Sequence, residues 1–149
     1  MALQTHRMIE NRGNFINEEY VVSTTGMKPG MLLMLNSSGE LAVHNVGETR
    51  TSLMLGDLDP LQGSITSTAY LDDASVPVVF PSKGSVVNVL VQSGDVVTIG
   101  KKLASAGDGY WMVVETATSG TENDGVMLEA IEGQTAALSA ATLVACRVM

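Results

Sequence analysis

Residues 81–111 read PSKGSVVNVLVQSGDVVTIGKKLASAGDGYW, and the turns in this stretch constrain the fold more than its apolar residues do. SKGS, QSGD, TIGKK and SAGDG cut the valine-rich runs before any of them reaches the length of a helix. Valine is stiff at χ1 and packs well on a pleated surface, while glycine supplies the left-handed backbone that tight turns need. The pattern predicts short strands joined by short turns.

The same grammar extends in both directions. YVVST reads as a strand, GMKPG as a turn, and MLLMLN and ELAVHN as the arms of a hairpin around Ser37-Ser38-Gly39. ITSTAYLDD and SVPVVFP read as strands, with Pro77 placing the second at a sheet edge or a strand start. SVVNVLV, DVVTI, KKLAS and YWMVVETAT continue the series, and GVMLEAIEG fits either a strand or a short helix. TAALSAATL has a weak helical look, and LVACRVM suits a closing strand. Short strands at this spacing predict an all-β domain, compact and barrel-like or a sandwich, with Trp111 in its core.

At 149 residues the chain suits one domain with an appendage. The expected division is an extended N-terminal arm over 1–19 and a single β domain over 20–149. MALQTHRMIENRGNFINEE is polar and has neither period; a frayed tail is the competing reading. The net charge is −8, and no Lys or Arg occurs from Leu103 to Cys146, which disfavours a nucleic-acid partner. No stretch approaches the roughly 18 apolar residues of a membrane span. The N-terminus has no apolar signal core, so synthesis in the cytoplasm is expected and the sequon at Asn36 carries no weight. Cys146 is the single cysteine and reads as buried filler.

Chemistry-bearing groupings are sparse. His6 and His44 lie far apart, and Asp57-x-Asp59, Asp72-Asp73 and Glu122-Asn123-Asp124-Gly125 read as solvated turns, so no metal site is expected. His44 has no G-x-S-x-G beside it, no phosphate-cradling glycine motif occurs, and Gly107-Asp108-Gly109 is a plain turn. No catalytic residue, cofactor or enzymatic activity is expected. A small enzyme assembled from carboxylates across a trimer interface is the reading that a sequence leaves open.

Two families share parts of this pattern. VQSGDVVTIGKKL resembles the V-x-x-G-D-x-V-x-x-G-x-x-L run of lipoyl and biotinyl carrier domains. In those domains the modified lysine sits in the hairpin after this element, where ASAGDGYW has none; Lys101 and Lys102 precede Leu103, and Met27-Lys28-Pro29 is the nearest approach to a biotinyl motif. A carrier-like barrel sandwich without its attachment lysine is therefore the alternative.

The order of motifs from Tyr20 to Met149 resembles the cement, or decoration, proteins of tailed-bacteriophage heads. VVSTTGMKPGMLLMLNSSGELAVHN is similar to their early x-x-G-x-x-P-G-x-x-L element and hairpin, and VQSGDVVTIGKKLASAGDGYW to their G-D-x-V-x-x-G-x-x-L-x-S-x-x-D-G element. The resemblance implies a β-tulip or barrel-like fold, a homotrimer, the major capsid protein as partner, and a place on the outer surface of the virion, where the protein stabilises the expanded head by bridging capsid subunits. It also implies that the N-terminal arm contacts the capsid. Leu3, Met8, Ile9 and Phe15 are then candidate apolar anchors, and His6, Arg7 and Arg12 candidate polar contacts.

Overall fold

The structure, a computed structural model, describes residue 3 and residues 8–47, 52–58, 68–114 and 125–149. Every regular element among them is a strand. The all-β expectation therefore holds.

The central strand is β7 (Val86–Val91, VVNVLV), buried along its whole length. It pairs antiparallel with β11 (Thr142–Val148) over six residue pairs, from Thr142↔Val91 to Arg147↔Val86. From β11 the ladder passes to β10 (Leu128–Ala130), to β8 (Lys102–Ser105) and to β9 (Trp111–Val114). β9 then returns to β7 through one parallel pairing, Val91↔Trp111, and Gln92 N donates to Trp111 O at 2.9 Å. These five strands close a small barrel. Closure removes open edges, and the interior is filled by Val87, Val89, Leu103, Trp111, Leu128 and Val144, all inaccessible to solvent.

A three-stranded sheet lies beside the barrel in the order β2 (Phe15–Val21), β6 (Ser75–Pro81), β5 (Leu55–Gly56). The hairpin β3 (Leu33–Leu35) and β4 (Leu41–Val43) turns at Ser37-Ser38-Gly39 as expected, with Gly39 at φ +77°. The remaining strand, β1 (Glu10–Arg12), pairs with the Val86–Val87 end of β7, which β9 does not reach, through Glu10↔Val87 and Arg12↔Val86 with a bulge between them. One core is shared throughout: Ile9, Val22, Leu32, Leu55, Val76 and Val78 join the barrel residues.

Two glycines fix how the layers meet. Gly13, at φ +125°, turns the chain from β1 into β2, and a Cβ there would lie 2.4 Å from Ser85 Oγ and 2.7 Å from Ser85 Cα. Gly30, at φ +85°, has Leu90 N 3.0 Å from where a Cβ would be; its own N–H donates to Gly56 O and its carbonyl accepts from Leu90 N. The GMKPG turn thereby joins the three-stranded sheet to the barrel, which is a stronger constraint than turning the chain.

Several expectations are corrected. The 1–19 arm does not describe residues 8–19: Ile9 is wholly buried, β1 pairs with β7, and β2 pairs with β6 along its full length. Polarity misled here because an edge strand buries little of its surface, and β2 is exposed at four consecutive positions, Ile16 to Glu19. Pro77 sits in the middle strand of its sheet, not at an edge. It is tolerated because its ring nitrogen faces the β5 side just beyond the Leu55↔Val79 and Gly56↔Val78 pairs, where Asp57 N donates to Pro77 O and no donor from Pro77 is needed. DVVTI forms no strand; Asp95 O and Val97 O accept from Leu138 N and Gln134 N of the facing loop. The described part of ITSTAYLDD, from residue 68, is also irregular, anchored by Tyr70 N donating to Met27 O. TAALSAATL is not helical: residues 134–141 form bends that run into β11.

Candidate functional site

The candidate head-contacting residues separate by environment. Leu3 is half-buried against the core, and Ile9 is inside it. Met8 is 55% exposed, Arg12 is exposed, and Phe15 is half-buried opposite Pro81. His6 and Arg7 lie outside the described residues. Ile9 is thus a core residue and unavailable as an external anchor, whereas Met8, Arg12 and part of Phe15 face outward.

A residue that sequence reasoning passed over holds this segment in place. Asn88 is the one polar residue in VVNVLV and is wholly buried. Its side-chain NH2 donates to Met8 O at 2.8 Å, its backbone N–H donates to Ile9 O at 2.9 Å, and its side-chain carbonyl accepts from Asn11 Nδ2 at 3.2 Å. Every buried polar atom needs a partner, so a lone Asn in an apolar strand marks a place where another segment must dock. Ser85 supplies a second clamp, accepting from Asn14 N and donating to Asn14 O, both at 3.1 Å.

His44 and Cys146 both lie inside the fold. His44 Nδ1 lies 2.8 Å from Ser105 Oγ, and both residues are buried. Ser105 Oγ also accepts from Gly107 N at 3.1 Å, so one hydroxyl ties His44 to the turn that follows β8. Burial holds the imidazole pKa below its ordinary value. Cys146 is buried, and burial followed by the nearby Glu132 charge pushes its thiol pKa far up, which suppresses the reactive thiolate.

Asp57 is pushed up by burial, held back by its bond from Leu58 N, and raised further by the charge of Glu10. Among the described residues no group of three or more His, Cys, Asp or Glu is arranged to hold a metal ion; Asp59 and Glu122 to Asp124 lie outside them. Lys102 pairs with Glu129 across β8 and β10 at 3.1 Å, and the β8–β9 connection, AGDGY, contains no lysine.

No family model matches the chain, and no curated protein matches it. Among solved structures it is similar to the N base of the head fiber gp8.5 of bacteriophage phi29, with a TM-score of 0.56 and 12% sequence identity. The likeness covers 91% of this chain and 95% of that one, so it takes in the barrel and the adjoining sheet. At that identity it is a likeness of fold.

Proposed function

We propose that this protein is a structural component of a tailed-phage head: a decoration protein that binds the outer surface of the expanded shell and bridges neighbouring major capsid protein subunits. The observation that carries the reading is the fold shared, over nearly the whole of both chains, with a protein whose place is on a phage head. The turn-and-strand motifs from Tyr20 to Met149 point to the same class independently. In this reading the protein works as a homotrimer and transforms no substrate. Several modest contacts, linked through one rigid body, add up to a firm hold on the shell. A net charge of −8 suits a protein outside the shell, away from the packaged genome.

The test is to mix the purified protein with expanded, undecorated heads, measure occupancy by co-sedimentation, and follow genome release on heating. Saturable binding with a raised release temperature is the expected result. Absence of both would remove the proposal. Light scattering on the free protein checks the trimer.

A further inference from the structure

Among the described residues β2 is an edge strand, and its Phe15–Glu19 stretch has no strand on the outer side. Val22 N donates to Ala74 O at 2.9 Å, and Ser82 N donates to Asn14 O at 3.0 Å. In the antiparallel register that links them, even-numbered residues direct their main-chain groups at β6 and odd-numbered residues direct theirs away. From Val22 onward the outer side is taken by β4, through the parallel Val22↔Leu41 bridge and Ser23 N donating to Leu41 O at 3.1 Å. The outward main-chain groups of Phe15, Asn17 and Glu19 meet no strand among the described residues.

The stretch also places one large apolar side chain beside the open edge. Ile16 is 66% exposed, opposite the half-buried Phe80. Of the features that guard an open edge against unwanted pairing, FINEE lacks lysine, proline and a bulge and carries only the charges of Glu18 and Glu19, which repel a like-charged strand and admit a basic one. Towards the end closed by β4 the charge is of one sign: Glu18, Glu19, Glu40, Asp72 and Asp73. Asp73 N donates to Val22 O, which places the acidic turn at that end of the strand. The Glu18 carboxylate is held by the Tyr20 hydroxyl. Neither 15–23, 36–44 nor 68–82 contains a Lys or Arg. A second copy that pairs through the same Phe15–Glu19 stretch brings no cation to Glu18 or Glu19, because that stretch has none to offer.

We propose that the Phe15–Glu19 edge receives an extended basic segment of a capsid subunit as an added antiparallel strand. Main-chain bonds to Phe15, Asn17 and Glu19 hold it; its apolar residues lie beside Ile16 and Phe15, and its basic residues beside Glu18 and Glu19. The source of the strand rests on the head-binding reading above; the capacity of the edge does not.

Two measurements keep these separate. The first uses a synthetic peptide, Arg-Arg-Thr-Val-Val flanked by threonines, and a control with Glu in place of Arg, read by amide hydrogen exchange. The basic peptide is expected to slow exchange at Asn17 and Glu19 by about tenfold, and the acidic one to leave it unchanged. Equal effects from both peptides, an effect from neither, or protection in the protein alone that grows with its concentration would overturn the inference. The second uses heads and the variant Asn17→Pro, which removes an outward N–H and no bond to β6. Its folding is checked by thermal unfolding, and Asn17→Ala is the control. Occupancy is expected to fall about tenfold for Asn17→Pro alone. Undiminished binding by a folded Asn17→Pro would overturn the inference and leave the head-binding reading intact. Failure of the unaltered protein to bind heads would overturn that reading, with the peptide result still deciding the edge.

Discussion

At the scale of single residues, three buried side chains carry distinct loads. Asn88→Ala leaves Met8 O and Asn11 without their partner and is expected to cost about 1–3 kcal/mol, measured by urea unfolding. Hydrogen exchange should then rise over residues 8–12 before the barrel responds. Trp111→Ala is expected to cost about 3–5 kcal/mol, because the indole fills the barrel at its closing pair. Trp111→Phe should cost much less, since the indole N–H is buried with no hydrogen-bond partner and its loss removes an uncompensated polar group. His44 introduces a pH dependence. Its folded-state pKa lies below its unfolded value of about 6.5, so the unfolded chain binds the extra proton first. Its contribution is present above that pH and is lost as pH falls below it. Asp57, with a raised pKa, acts in the opposite sense at lower pH. The urea midpoint should therefore drop between pH 7.5 and pH 5, and His44→Gln should flatten that drop; an unchanged profile would contradict the assignment.

Among the elements, the N-terminal strands are where sequence and structure diverge most. Removing Met1–Asn17 takes away the core residue Ile9, all of β1 and part of β2. The truncated chain is expected to lose cooperative thermal unfolding or to unfold at a clearly lower temperature. A truncated chain as stable as the whole would restore the picture of a detachable arm. Gly13→Ala belongs to the same corner: it forces a Cβ onto Ser85 at a positive φ, and a drop of more than about 1 kcal/mol is expected. The barrel strands and the β3–β4 hairpin were legible because valine runs and Gly turns act locally. β1 and β2 were not, because an exposed edge strand carries no burial period and is specified by what it pairs with. The one trace of that pairing in the sequence was Asn88, whose meaning depends on residues 77–80 positions away. DVVTI looked like its neighbours but bonds to a loop, a choice made by tertiary contacts and not by propensity.

For the whole molecule, a closed barrel and a side sheet share one core, with His44 and Cys146 buried in it. Among the described residues its outer surface includes the acidic residues around Glu18 and Asp73, the strand edge at Phe15–Glu19, and the exposed apolar Val96 and Ile99 on the 95–101 loop. The measurement that bears most directly on the proposed attachment to the head is imaging of expanded, undecorated heads with and without the protein, averaged over the shell symmetry. The account predicts added density on the outer face where capsid subunits meet. An unchanged shell, or density on its inner face, would contradict it.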